Sequence, residues 1–189
     1  FFSKIFVKAK KKFLFFHQLA EKIWFYETMF PISLIGFIFE KIYLKFMSDM
    51  KVITISKSTK KNLMKHGFKT KKILLIYQIL NEKFKIFSPK KINRKIKLVY
   101  FGSLRKMKNV NSIIRIFSKL IKIRKNYSLS IVSKELKSID NKNKIIFWIK
   151  KYKIKDKINL ISNISDINKF RILRSFHINL FASIKEGWG

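Results

Sequence analysis

Two short stretches carry side chains whose types and spacing suit work on an anionic ligand. The first, Gly102-Ser103-Leu104-Arg105-Lys106-Met107-Lys108, concentrates cations in one turn. Lysine offers phosphate a compact point charge, and arginine offers it a planar fork. The second, Ser183-Ile184-Lys185-Glu186-Gly187-Trp188-Gly189, places a carboxylate beside glycines that let backbone approach a ligand closely. Glu186 is one of ten acidic residues in the chain, which sets it apart from a background of lysine. A third candidate is His17, at the end of the apolar run KFLFF.

The elements around the first stretch give it direction. Ile96 to Phe101 is rich in β-branched and aromatic residues and reads as a buried strand. After Asn109, apolar residues recur at Val110, Ile113, Ile114, Phe117, Leu120 and Ile121, the spacing of one helical face. A strand, a glycine turn and a helix together point free N–H groups and a positive dipole end at an anion. On this stretch alone, a site for the diphosphate of a nucleotide and an ordinary turn on a lysine-rich surface both remain open.

The rest of the chain alternates in the same way. Strands are expected at Lys12 to Phe16, Val52 to Ser56, Lys72 to Tyr77, Ser128 to Ser133, Lys157 to Ile161 and His177 to Phe181. Helices are expected from Gln18 to Phe30, from Ile32 to Met47 with Pro31 at the start, and near Asn141 to Tyr152 and Asp166 to Arg174. A short helix after Val52 to Ser56 is capped by Ser56 or Ser58 and closed by Gly67. Aperiodic residues around Ser88 and Pro89 read as a linker. This alternation indicates α/β architecture with mainly parallel sheets, and ligands in such sheets sit at the carboxyl ends of strands. Both the Gly102 to Lys108 turn and the Ser183 to Gly189 loop fall at such ends. Trp24 and the apolar stripe from Met29 to Phe39 are expected to be core, and His66 and His177 to be structural.

Composition bounds the partners. Among 189 residues, 44 Lys and Arg stand against 10 Asp and Glu, a net charge of +34. Such a surplus attracts nucleic acid, anionic lipid or phosphorylated substrates. Lys, Ile, Asn and Phe also have AT-rich codons, and the cations are spread over the whole length, so genome bias competes with any functional cause of the charge. With no clustered face and no reading motif, no nucleic-acid partner is expected. The chain has no cysteine and three scattered histidines, so no metal site is expected. Met29 to Phe39 is too short to span a membrane and carries Pro31 and Gly36. The chain begins at Phe1 and stops at Gly189 inside a motif, and a fragment cut at both ends is expected.

Taken together, VYFGSLRKMKNVNSIIRIF and NLISNISDINKFRILRSFHINLFASIKEGWG resemble retaining nucleotide-sugar glycosyltransferases of family 4. The resemblance implies a GT-B fold, two Rossmann-like domains facing a cleft, both incomplete here. It assigns 1–84 to the acceptor-side domain, 85–95 to the linker and 96–189 to the donor-binding domain. Lys108 matches the lysine that contacts the donor diphosphate. The family's arginine falls on Ser103, with Arg105 as a substitute, and its glycine after the lysine is Asn109. Glu186 matches the first glutamate of an E-x7-E motif that approaches the donor sugar, with Ala182 in place of a common proline. The second glutamate would lie beyond Gly189. Gly102, Ser103, Ser183 and the Gly187 backbone complete the donor set, while Trp188 lines the sugar pocket or packs under the loop. His17 matches a histidine that faces the cleft, so Glu186 and His17 are the catalytic candidates.

The implied activity is metal-independent transfer of a sugar, with retention, from a nucleotide-diphosphate sugar to a carbohydrate or lipid-linked acceptor. The implied place is the cytoplasm or the inner membrane face, with peripheral contact to anionic membrane, and the fragment alone is expected to be inactive. The competing reading is a basic nucleic-acid- or membrane-surface-binding protein without catalysis.

Overall fold

The computed structural model describes residues 7–78, 95–162 and 164–186, without the side chains of Asp166 and Ile167. The linker expected at 85–95 falls outside them up to residue 94, as do most of the preceding loop, Gly187 and Trp188. The chain divides into two compact units, Phe1–Lys85 with Lys185–Gly189, and Ile86–Ile184. Both are α/β with parallel sheets.

In the first unit, β1 (Phe13–Phe16), β2 (Lys51–Thr54) and β3 (Ile73–Leu75) pair in that order. The register aligns Leu14 with Val52 and Val52 with Ile73. Because successive side chains alternate between faces, these three share one face, buried under Leu44 and Met47 of α2 (Ile32–Met47) and Leu63 of α3 (Lys57–Lys65). On the opposite face Phe13, Phe15 and Leu74 are about half exposed. The Ser56 hydroxyl caps α3 by accepting the Thr59 N–H at 3.1 Å. Gly67 follows it at φ +91°, a conformation that costs glycine little, and Phe68 N–H closes back on Leu63 at 3.2 Å.

Two expectations need correction here. The helix expected from Gln18 to Phe30 is only α1 (Ile23–Glu27). Glu21 sits at φ 46°, and the N–H groups of Ala20 and Glu21 donate to the Glu40 carboxylate of α2 at 2.7 and 2.6 Å, which replaces a first helical turn by a tertiary cap. The stripe from Met29 to Phe39 is not core: Met29 and Phe30 are 78% exposed and Ile35 is 61% exposed. Only the stripe through Ser33, Leu44 and Met47 reaches full burial, because α2 meets the sheet along that side. Trp24 does pack inward. A Cβ on Gly36 would lie 2.5 Å from its ring, and its indole N–H donates to Glu40 at 3.1 Å.

The second unit holds β4 (Ile96–Phe101), β5 (Tyr127–Val132), β6 (Ile158–Ile161) and β7 (Ile178–Asn179), ordered β6-β5-β4-β7 and all parallel. Leu98, Val99 and Tyr100 are buried in succession, as a central parallel strand requires. Val110, Ile113, Ile114 and Phe117 form the buried face of α4 (Val110–Ile123), while Ile145 and Ile149 do the same for α5 (Ile139–Lys151). The chain steps outward from β4 through β5 to β6 and then returns through α6 (Asp166–Leu173) to β7 on the other side of β4. That reversal places a crevice at the carboxyl ends beside β4. Phe117 is 1% exposed, so Phe117→Ala is expected to destabilise this unit by ~3–5 kcal/mol in denaturant titration.

Candidate functional site

The turn after β4 is built by contacts to both neighbours. Gly102 N–H donates to the Val132 carbonyl at 3.1 Å, continuing the ladder by one residue. A Cβ at Gly102 would fall 3.1 Å from the hydroxyl of buried Tyr100, which itself donates to the Ser103 carbonyl. Leu104 N–H donates to the Glu135 carboxylate at 2.6 Å. Lys106–Lys108 then form a 3-10 turn, with Lys108 N–H on the Arg105 carbonyl at 2.9 Å. Asn109 stands at φ 53° and starts α4. Glycine adopts that left-handed conformation freely and asparagine tolerates it. The first turn of α4 therefore begins directly behind the basic residues.

A cavity of about 310 Å³ opens beside this turn, at the carboxyl ends of β4, β5 and β6. Phe101, Gly102 and Ser103 form one wall, and Ser133, Lys134 and Glu135 another. Ser162, Ile164 and Lys169 close it, with the Lys169 ammonium 5.3 Å from the centre of the Phe101 ring. Ser133 Oγ accepts the Glu135 N–H at 3.2 Å and so fixes the start of that wall.

On the other side of β4, His177 N–H donates to Lys97 O at 2.8 Å while its Nδ1 accepts Lys97 N–H at 2.9 Å, a structural role for this histidine. Leu180 N–H then donates to Val99 O at 2.7 Å, and Ile184 N–H to Met107 O at 2.9 Å. This last bond ties the loop that starts at Ser183 to the basic turn. The Ser183 hydroxyl is buried there without a hydrogen-bond partner among the described residues.

The family model described as Glycosyl transferases group 1 matches residues 81–189. The chain belongs to this family. No curated protein matches it. Among solved structures, the group 1 chain is similar to a mutant of S. aureus TarM in complex with fondaparinux, alpha-GlcNAc-glycerol and UDP, with TM-score 0.65 and 16% identity over 95% of this chain and 33% of TarM. Anabaena HepE in complex with UDP and glucose gives 0.59 and 14% over 90% of this chain and 46% of HepE. WaaG, a glycosyltransferase involved in lipopolysaccharide biosynthesis, gives 0.61 and 16% over 93% of this chain and 51% of WaaG. The group 1 chain thus shares the α/β, GT-B type fold of these proteins and spans about a third of TarM and about half of HepE and WaaG.

Within the second unit of this group 1 chain, the structure brings Gly102, Ser103, Arg105, Lys108 and Ser183 together around one turn. Gly102 and Ser103 stand on the cavity wall, Arg105 is exposed and Lys108 half-buried. Glu186 and His17 belong to the first unit. His17 is exposed past β1. Its carbonyl accepts the Thr59 hydroxyl at 3.0 Å, and its ring stands edge-on to Phe15 at 4.8 Å. Glu21 accepts from Lys185 and lies 3.3 Å from His66 Nε2. Partial burial opposes its ionisation, but the hydrogen bonds and charge interactions with Lys185 and His66 outweigh burial and hold this carboxyl below its usual range. Among the described residues no group of three His, Cys, Asp or Glu is arranged to hold a metal ion.

Sequence reading passed over Ser133, Glu135 and Lys169. Their one local signal is polarity just past a strand for Ser133 and Glu135, whereas Lys169 reaches the cavity from a helix. Glu135 is the informative one, since its carboxylate holds the backbone of the basic turn. Glu135→Ala is expected to destabilise the second unit in denaturant titration by releasing Leu104 N–H from a charge-assisted bond of roughly 1.5–3 kcal/mol. Glu135→Gln, which keeps an acceptor oxygen, is expected to recover most of that loss in the same titration.

Proposed function

We propose that the protein containing this chain transfers a sugar, with retention, from a nucleotide-diphosphate sugar to a carbohydrate or lipid-linked acceptor. Supporting it most directly is the bond from Ile184 N–H to Met107 O, which joins the Ser183 loop to the basic turn beside a cavity at the strand ends. The diphosphate sits over the first turn of α4, where the helix dipole and the cations Lys108 and Arg105 meet it. Gly102 admits the ligand at close range, and Ser103 and the orphan Ser183 hydroxyl supply hydrogen bonds. A cavity of this size accommodates the nucleoside.

Departure of the nucleoside diphosphate concentrates negative charge on its oxygens. Preorganised donors aimed at that charge lower the barrier, so the turn stabilises the leaving group without a metal. Glu186 orients sugar hydroxyls or stabilises an oxocarbenium-like transition state, and His17 serves on the acceptor side. In this reading 1–84 belong to the acceptor-side domain and 96–189 to the donor-binding domain. The work is done in the cytoplasm or at the inner membrane face, with the net charge of +34 attracting anionic membrane. The 189-residue chain alone is inactive.

The test is transfer by the full-length protein from a panel of nucleotide sugars, with the anomeric configuration of the product read by NMR. Turnover of one donor class with retained configuration is expected. Inverted product would overturn retention, and absence of transfer from every donor with saturable nucleic-acid binding would overturn the proposal.

A further inference from the structure

The second unit carries another cavity, of about 610 Å³, at the end of its sheet opposite the basic turn. α4 and α5 end there, at Ile123 and Lys151, and β5 and β6 start there, at Tyr127 and Ile158. β5 spans six residues, about 20 Å at ~3.3 Å per residue, so this cavity is separate from the one at the carboxyl ends.

Five lysines line it, Lys122, Lys125, Lys151, Lys153 and Lys157, with Asp156 as the one acid among the described residues. No described carboxylate forms an ion pair with any of the five. The two helix C-termini carry about half a negative charge each, so with Asp156 they offset about two of the five positive charges and leave about three. Ile121, Tyr152 and Ile154 supply an apolar part of the lining, and Tyr152 stacks on Trp148 with ring centres 6.0 Å apart. Coulomb attraction is stronger beside such low-dielectric surface than in open water.

Two features set this cluster apart from a run of solvated lysines. The carbonyls that end α5 are satisfied without it: those of Trp148, Ile149 and Lys150 accept the N–H groups of Tyr152, Ile154 and Lys153 at 3.1, 3.2 and 3.0 Å. Lys153 itself stands at φ 55°, a left-handed conformation that costs a lysine but is free to glycine, so a cation is held at the cavity against a backbone penalty. In addition, the Lys157 ammonium donates to the Lys125 carbonyl at 3.3 Å, which ties together the entries to β5 and β6.

We propose that this cavity binds linked phosphate groups, as carried by a polyphosphate chain or a nucleoside triphosphate. A positive surplus spread over five separate ammonium groups suits several linked anionic groups better than one, since each lysine acts as its own point charge. The site is distinct from the basic turn and does not rest on the sugar-transfer reading.

The experiment is calorimetric titration of the full-length protein with inorganic tripolyphosphate and with ATP, at low and high salt. Lys122→Ala with Lys153→Gly removes two of the cations; alanine suits a helix and glycine the left-handed position, so the double variant folds, as circular dichroism will check. The expected result is saturable binding that persists at high salt and weakens about tenfold in this variant. Lys142→Ala with Lys144→Ala, an equal loss of charge on the exposed start of α5, is expected to weaken it less than about twofold. The binding is also expected to survive in Lys108→Ala, which separates it from the basic turn. Tripolyphosphate and ATP distinguish a bare phosphate chain from a nucleotide, and binding of either that meets these criteria supports the site. Equal weakening in the two double variants would overturn the proposal in favour of bulk charge, and loss in Lys108→Ala would assign the binding to the basic turn. Absence of saturable binding, as when another part of the full-length protein fills the cavity, overturns it as well.

Discussion

Lys108→Ala in the full-length protein is expected to lower kcat/KM for sugar transfer by about 10²–10³, the usual loss when one preorganised donor to a developing oxyanion is removed. The size of the effect comes from position. Lys108 is half-buried at the end of the 3-10 turn, immediately before the left-handed Asn109 and the first turn of α4. Its charge acts beside the helix dipole and partly screened from water, where Coulomb attraction is several times stronger than at the surface. Lys106 is the internal control. It lies in the same turn but is exposed, and solvent and salt screen it. Lys106→Ala is expected to change kcat/KM less than about threefold. If both variants lost the same factor, general attraction by a highly basic protein would account for the effect.

The second large effect is expected at Glu186, in kcat with little change in KM. A carboxylate that orients or electrostatically supports the reacting sugar acts mainly in the transition state, and losing such an interaction lowers kcat and kcat/KM together. Glu186→Ala is expected to lower kcat by about 10²–10³. Glu186→Gln separates the two roles proposed for it. Glutamine keeps the hydrogen bonds but not the charge, so near-complete rescue identifies orientation of hydroxyls. A loss as deep as alanine identifies support of positive charge on the ring. A rise in KM at constant kcat would place Glu186 in ground-state binding and contradict both roles.

Much of this architecture was readable from residue order, for a physical reason. β4 and α4 were expected at the positions where they form, because a run of β-branched and aromatic residues and a regular helical spacing are local signals reinforced by burial on the same residues. The cap at Ser56 and the stop at Gly67 are local in the same sense. What could not be read depends on distant partners. The start of α1 is decided by the Glu40 carboxylate, which takes the N–H groups of Ala20 and Glu21 from a neighbouring helix. Glu135 holds Leu104 only because β5 pairs with β4, and the cavity exists only because β6-β5-β4 adopt that order. The outer face of α2 misled for the opposite reason. A nearly all-apolar helix reads as core, yet only one stripe of it meets the sheet.

The central claim, that the turn from Gly102 to Lys108 holds a nucleotide diphosphate, is tested most directly by calorimetric titration of the full-length protein with UDP, GDP and ADP at low and high salt. Saturable binding of one nucleotide in preference to the other two, retained at high salt and lost in Lys108→Ala but not in Lys106→Ala, is the predicted result. Equal binding of all three that high salt abolishes, with Lys106 and Lys108 contributing alike, would contradict it.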